Sequence, residues 1–173
     1  MRLFIAVNFK DDIKGALASI QEQLKKSNVH GRYTAYENLH LTLAFIGEYG
    51  DPNAVLDALA GVKFKPFNLR LDGMGSFGSV WWAGTDASSE LKKCASQVRH
   101  ALAQAGIGFD KKRFSPHITL VREPGVQVIP SVEIPNVQMT VREISLMLSE
   151  RGKRGMIYTE LGTVLAEDTE GTV

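Results

Sequence analysis

Two four-residue segments of nearly the same sequence constrain this chain more than any other feature. They are His40-Leu41-Thr42-Leu43 and His117-Ile118-Thr119-Leu120, and they contain two of the chain's four histidines. Because alternate side chains of an extended strand share a face, each segment places its His and Thr on one face and its two aliphatic residues on the other. The pattern therefore predicts two strands that are anchored in a hydrophobic core by one face and present an imidazole and a hydroxyl on the other.

The repetition of the segment favours a functional interpretation of these histidines. A single His in an apolar strand is more often structural, but the same tetrad after two of four histidines is not expected by chance at average residue usage. Two imidazoles that titrate near neutral pH can activate the attacking oxygen and protonate the leaving oxygen of a phosphodiester. Hydroxyl and guanidinium groups can stabilise the non-bridging oxygens, and the candidates for this are Thr42, Thr119 and Arg122.

We therefore interpret the chain as a phosphodiesterase with His40 and His117 as its acid–base pair. Both roles suit an imidazole, so the residue types alone do not decide which His is the acid. His30 and His100 fall in a predicted turn and on the polar face of a predicted helix, and we expect both to be solvated. The sequence contains no H-E-x-x-H motif, Cys pair or His-rich tract, so we expect no metal and no other cofactor.

The composition is that of an ordinary soluble globular protein, since 44% of the 173 residues are hydrophobic and 23% are charged. The formal net charge of +1 excludes a global basic field, so any contact to nucleic acid should be local. The single cysteine, Cys94, excludes an internal disulfide. No secretory leader and no stretch of membrane-spanning length is recognised, so we expect a cytoplasmic protein with no membrane partner.

The order of the predicted elements indicates the fold class. The first half is predicted to contain strands at residues 3–7, 32–35 and 40–46, a helix capped by Asp11 or Asp12, and a short helix capped by Asp51 with Pro52 at its first position. The second half is predicted to contain a strand at residues 64–71, a Gly-rich turn at Gly73–Gly78, a strand at residues 80–83, a long helix from Ser88 or Ser89, the second tetrad strand, and strands at residues 137–141, 144–149 and 156–164, with a frayed tail after Glu167. This order predicts an α+β fold of mostly antiparallel sheet, and the repeated tetrad favours a single domain over residues 1–173 made of two fused, related lobes.

Two basic segments are candidates for contacts to an RNA backbone. Lys111, Lys112 and Arg113 directly precede the second tetrad, and Arg151 lies in a predicted hairpin tip rich in Arg and Lys. The aromatic residues of the Phe77 to Trp82 region are expected to pack in the sheet, although an exposed one could stack on a base.

The segments around both tetrads resemble a known family. Residues 38–47 and 114–122 resemble the RNA 2′,3′-cyclic phosphodiesterase branch of the two-histidine (2H) phosphoesterase superfamily, historically called 2′-5′ RNA ligases. Residues 2–7, 75–77, 81–84 and 148–158 also fit, so the resemblance covers nearly the whole chain. It implies a bilobal fold in which two pseudo-symmetric lobes of mostly antiparallel sheet, with outer helices, surround a central cleft.

The resemblance also implies a reaction. Water would attack the phosphorus of a terminal 2′,3′-cyclic phosphate and leave a 2′-phosphate, with His40 as proton donor to the leaving oxygen and His117 as acceptor from water. Thr42 and Thr119 would hold the phosphate oxygens, and Arg122 matches a frequent Arg of the family, whereas Val121 stands where a small residue is more usual. The expected partner is RNA or a nucleotide with a 2′,3′-cyclic phosphate end, the expected state is a monomer, and weak 2′-5′ ligation is compatible as the reverse reaction.

Two alternatives remain open at this point. The first is a cyclic phosphodiesterase for a small nucleotide, which should show neither the salt dependence nor the preference for longer substrates that contacts to an RNA backbone produce. The second is a nucleotide-binding or RNA-binding module without turnover, against which the complete His and Thr pairs argue.

Overall fold

The structure is a computed structural model that describes residues 1–86 and 88–167. Its elements are the strands β1 (Arg2–Asn8), β2 (Arg32–Tyr33), β3 (His40–Glu48), β4 (Phe67–Phe77), β5 (Val80–Thr85), β6 (Ile118–Arg122), β7 (Gln138–Val141), β8 (Glu143–Gly152) and β9 (Gly155–Leu165), the helices α1 (Asp11–Lys26), α2 (Pro52–Leu59) and α3 (Ser89–Gln104), and a short 3₁₀ helix (Tyr36–Asn38). The predicted frayed tail after Glu167 lies outside the described residues. The predicted α+β class is confirmed.

The strands form two antiparallel sheets. The first sheet has the order β3-β1-β8-β9 and the second has the order β2-β6-β5-β4-β7. Each sheet takes strands from both halves of the chain, since β8 and β9 complete the first sheet and β2 joins the second. The chain therefore passes between the two sheets several times, and we infer that the described residues form one domain of two fused lobes, as predicted for residues 1–173.

The helices begin where side chains can cap them. Asp51 accepts a hydrogen bond from the Ala54 N–H at 3.1 Å at the start of α2, and Ser88 accepts one from the Leu91 N–H at 3.1 Å at the start of α3, as predicted. The predicted cap of α1 was wrong, since Lys10 occupies the cap position and Asp11 and Asp12 lie in the first turn, where they stabilise the positive end of the helix dipole. None of the helices in the described ranges is long and apolar enough to cross a membrane.

The Gly-rich segment was predicted as a turn, and this prediction was wrong. Strand β4 starts at Phe67 and continues through Gly73 and Gly75 to Phe77, so that the hairpin to β5 turns only at Gly78, whose φ is +59°. The reason lies across the hairpin, where Gly75 is paired with Trp82 and an added Cβ at Gly75 would clash with the indole ring. A large aromatic side chain thus covers a cross-strand glycine, an arrangement that stabilises a strand in spite of the glycine.

Both tetrads are anchored in the same hydrophobic core. The side chains of Leu41, Leu43, Ile118 and Leu120 are each 0% exposed and belong to one cluster that draws residues from both sheets and from the helices. Helix α1 packs on β6, and α3 packs on β3 and β4. The alternation predicted from the sequence is therefore confirmed, and the apolar faces of β3 and β6 hold the two strands at fixed positions.

Candidate active site

The two tetrad strands come from different sheets and lie against each other. Strands β3 and β6 are in contact, with His40 and Thr42 on one strand and Thr119 on the other, all half-buried. His117 was predicted inside a strand, but it lies one residue before β6 because the ladder to β5 starts at Ile118. The polar faces of both tetrads therefore approach one another between the sheets.

Each catalytic candidate is oriented by a carbonyl two residues earlier in the chain. The Nδ1 atom of His40 lies 2.7 Å from the Asn38 oxygen, and the Nδ1 atom of His117 lies 2.8 Å from the Ser115 oxygen. A carbonyl oxygen can only accept a hydrogen bond, so each Nδ1 carries the proton and donates it. Each Nε2 is thereby left to take up or release a proton. In the neutral ring of His40 the Nε2 atom accepts a hydrogen bond from the Thr42 hydroxyl at 2.9 Å.

Aromatic rings flank both imidazoles. The ring of His40 lies 4.9 Å from the ring of Phe4 and 5.3 Å from that of Tyr158, measured between centroids. The ring of His117 lies 5.0 Å from that of Phe77 and 6.2 Å from that of Trp82. These contacts restrict rotation of the imidazoles and place them in a less polar environment than water.

A cleft of about 750 Å³ lies beside the tetrads. Among the predicted site residues, the structure brings Thr42, His117, Arg122, Lys112 and Arg113 into its lining. His40 adjoins the cleft through its hydrogen bond to Thr42, and Thr119 shares the strand face of His117. With Arg99, which also lines it, the cleft unites an imidazole, hydroxyls and four cations, which is the chemistry that a phosphate group requires.

Two predicted RNA contacts lie outside this lining. The Nζ atom of Lys111 lies over the ring of Phe109, 5.7 Å from its centroid. Arg151 is exposed near the end of β8, where it pairs with Met156 across the hairpin. The Met156 oxygen accepts a hydrogen bond from Asn38 Nδ2 at 2.8 Å, so this hairpin supports the segment that leads into His40.

The environment lowers the pKa of His40. Burial is the main cause, and the positive charges of His117 and Arg122 act in the same direction, while the hydrogen bond to the Asn38 oxygen opposes them. The charges of His117 and Arg122 therefore act on His40 across the gap between the sheets. In the ligand-free site the neutral form of His40 is favoured.

Sequence reasoning missed several residues of the site. Phe4 was not identified, because a continuous apolar run at residues 3–7 does not show which face of β1 points to the site. Tyr158 was not identified, because its contact to His40 joins residues far apart in the chain. Arg99 was also missed. Its Nε donates to the Leu43 oxygen at 3.2 Å and its Nη1 donates to the Lys112 oxygen at 2.7 Å, so that it links α3, β3 and the basic segment. A positive residue on a helix carries no local signal of such a role.

His30 and His100 are exposed, as expected from the sequence. The remaining two histidines are each followed by a Thr two residues later and lie where two antiparallel sheets meet. This arrangement defines a phosphoesterase of the two-histidine class. The sequence pattern of the family described as LigT like Phosphoesterase matches residues 7–82 and 84–158, and each stretch contains one tetrad. The chain belongs to this family.

Two archaeal relatives are similar over nearly their whole length, and both are named RNA 2′,3′-cyclic phosphodiesterase. The protein from Aeropyrum pernix is 31% identical over 170 residues, covering 88% of this chain and 96% of that protein. The protein from Archaeoglobus fulgidus is 34% identical over 175 residues, covering 93% of this chain and 98% of that protein.

Solved structures of Escherichia coli LigT have the same fold. The complex with NADP+ superposes with a TM-score of 0.84 at 28% identity and covers 96% of this chain and 98% of that chain. The complex with 3′-AMP has a TM-score of 0.80, with the same identity and the same coverage of both chains. The predicted bilobal fold and the family resemblance are confirmed by these comparisons.

Proposed function

We propose that this protein hydrolyses the 2′,3′-cyclic phosphate at the end of an RNA to a 2′-phosphate. The observation that carries the proposal is the pair of imidazoles with the same hydrogen bond, each held by a backbone carbonyl at Nδ1 so that Nε2 is available for proton transfer. The names of the relatives support a 2′,3′-cyclic phosphodiester as substrate, and the complex of Escherichia coli LigT with 3′-AMP supports a nucleotide.

The proposed reaction is an in-line displacement by water. His117 takes a proton from the attacking water, a bond forms between the water oxygen and phosphorus, and the bond from phosphorus to the 3′ oxygen breaks. His40 gives its Nε2 proton to the 3′ oxygen, which leaves as a hydroxyl. Thr42, Thr119 and Arg122 donate hydrogen bonds to the non-bridging oxygens, on which negative charge develops. Thr42 exchanges its hydrogen bond to His40 for one to the phosphate.

The assignment of His40 as the acid requires a change on substrate binding. Burial and the neighbouring cations lower the pKa of His40 in the ligand-free site, whereas a proton donor must be protonated. A bound phosphodiester adds a negative charge between His40 and the Arg122 guanidinium, and an opposite charge favours the protonated imidazole. Binding of a 2′-phosphorylated nucleotide is therefore expected to raise the pKa of His40, as followed by NMR of the ring protons. A pKa that stays unchanged or falls would favour the reversed assignment, with His40 as base.

The basic residues around the cleft are proposed to contact the rest of the substrate. Lys112 and Arg113 line the cleft, and both are exposed and accessible to a backbone phosphate. Lys111 and Arg151 are kept as weaker candidates for such contacts, since they lie outside the lining. The monomeric state and the cytoplasmic location expected from the sequence remain predictions.

The test is turnover of a short RNA ending in a 2′,3′-cyclic phosphate, in EDTA and across pH, with identification of the product end. We expect a 2′-phosphate, a bell-shaped pH profile and no loss of rate in EDTA. His40→Ala and His117→Ala should each lower kcat by about 10²–10⁴, the range typical of a lost proton transfer, and retain the fold.

Two other histidines of the chain serve as matched controls. His30→Ala and His100→Ala remove exposed imidazoles that lie outside the cleft, and both variants should retain wild-type turnover. Full activity of either tetrad variant would exclude the two-histidine mechanism, and a 3′-phosphate product would exclude the proposed bond cleavage. Binding of the RNA without turnover would instead favour a binding module.

A further inference from the structure

A second groove opens beside the catalytic cleft, along α3. It has a volume of about 630 Å³, with Lys92 and Ser96 of α3 on one side and residues 113–116 on the other. Four residues line both the groove and the cleft, namely Arg99, Arg113, Phe114 and Ser115. The groove and the cleft are therefore continuous at the segment that leads into His117.

The groove is positively charged. Lys92, Arg99 and Arg113 line it, and among the described residues of its lining none is acidic. None of the ion pairs found in residues 1–86 and 88–167 involves Lys92 or Arg113, and both side chains are exposed. Ser96 and Ser115 add hydroxyl groups. Cations without an ion-pair partner beside hydroxyl donors suit the phosphates of a nucleic acid backbone.

The base of the groove is held in place by Arg99. Its guanidinium donates to the Leu43 and Lys112 oxygens and lies 5.8 Å and 5.7 Å from the ring centroids of Phe109 and Phe114. These contacts join α3 to β3 and to the segment before His117. The groove therefore keeps its position relative to the catalytic histidines, as a binding site for a second part of the same substrate requires.

We propose that this groove binds the phosphodiester backbone of a single-stranded RNA immediately 5′ of the nucleotide that carries the cyclic phosphate. This inference rests on the proposed function and specifies its substrate class as an RNA strand of several nucleotides. A substrate whose terminal phosphate lies at the histidines can continue only in the 5′ direction, because the cyclic phosphate occupies its 3′ end. The groove offers this strand a path past Arg113 and on to Lys92.

The proposal is tested by a substrate-length series. We would measure kcat/KM for a nucleoside 2′,3′-cyclic phosphate and for RNAs of two, four and eight nucleotides with the same end, and the Kd of the 2′-phosphate products by fluorescence anisotropy. In the wild-type protein kcat/KM should be higher for the tetranucleotide than for the nucleoside 2′,3′-cyclic phosphate. Lys92→Ala should reduce the ratio of these two kcat/KM values severalfold. Each lost phosphate contact should also make the slope of log Kd against log salt shallower by about 0.7, the value for single strands.

Lys93 provides the matched control, because it carries the same charge at the next position of α3 but lines a different groove together with Glu90. Lys93→Ala should keep the wild-type length ratio and salt slope. If both lysine variants changed the length ratio and the salt slope equally, only the net charge of the protein would matter for RNA binding. The proposed binding of RNA in the groove would then be wrong. If the wild-type protein hydrolysed substrates of all four lengths with equal kcat/KM, the proposed RNA binding in the groove would be wrong and the proposed function would still hold. If none of the four substrates were hydrolysed, the proposed function itself would be contradicted, and the Kd series would then decide whether the groove binds RNA.

Discussion

Gly75 should be far less tolerant of a methyl group than an ordinary glycine of this chain. A Cβ at Gly75 would clash with the Cζ2 and Cη2 atoms of Trp82 and lie 3.1 Å from its Cε2. The indole cannot easily move away, because its other neighbours are the rings of Phe77 and His117, at centroid distances of 5.0 Å and 6.2 Å. Its Nε1 has no hydrogen-bond partner among the described residues, so packing fixes the ring. Gly75→Ala should therefore destabilise the fold by about 1–3 kcal/mol, the usual cost of overpacking.

The assay is urea denaturation at equilibrium, with Gly15→Ala as the matched control. Gly15 lies exposed inside α1 with no atom within 4 Å of an added Cβ, so the same substitution there should stabilise the protein by about 0.5–1 kcal/mol. The two variants thus have opposite expected signs. Turnover should fall in Gly75→Ala, because a displaced indole disturbs the orientation of His117, and should be unchanged in Gly15→Ala.

A double-mutant cycle separates the clash between the added methyl group at position 75 and the Trp82 indole from any other effect of Gly75→Ala on the stability of β4. In a Trp82→Leu background the smaller side chain leaves space for the methyl group, so the cost of Gly75→Ala should largely disappear. If Gly75→Ala were as stable as Gly15→Ala, or if its cost were the same with Leu at position 82, the proposed packing of the indole on Gly75 would be wrong.

Two further predictions follow from the pKa values of buried groups. Because the pKa of His40 is lower in the folded than in the unfolded state, the unfolded chain binds a proton first as the pH falls below about 6.5, and folding free energy is lost there. His40→Gln should therefore flatten the dependence of the free energy of unfolding on pH between about pH 7 and pH 5. An equally steep dependence in this variant would show that the pKa of His40 is not lowered by folding. Burial raises the pKa of the Cys94 thiol to about 12, so iodoacetamide at pH 8 should label the native protein only at the rate at which it unfolds. Rapid, stoichiometric labelling without denaturant would show that the thiol is accessible.

Several features of the site could be predicted from the sequence because they depend on local geometry. The alternation of side chains along a strand assigns Leu41 and Ile118 to the core and the neighbouring His and Thr to the opposite face, whatever the strand pairs with. The caps at Asp51 and Ser88 are likewise local, since each side chain bonds an N–H three residues later. The repeated tetrad identified both catalytic candidates without any knowledge of their distance in space.

Other features were decided only by the tertiary structure, because they depend on residues far apart in the chain. The segment Gly73–Gly78 was predicted as a turn from its glycines, but the cross-strand partner Trp82 makes most of it a strand. The aromatic neighbours of His40 come from β1 and β9, at opposite ends of the chain. The lowered pKa of His40 requires its burial and the charges of His117 and Arg122, and these arise only when two interleaved sheets bring β3 and β6 together. The sequence by itself thus determined which side chains are the candidates for the chemistry, whereas the fold decided their distances and their electrostatic environment, since both are set by long-range packing.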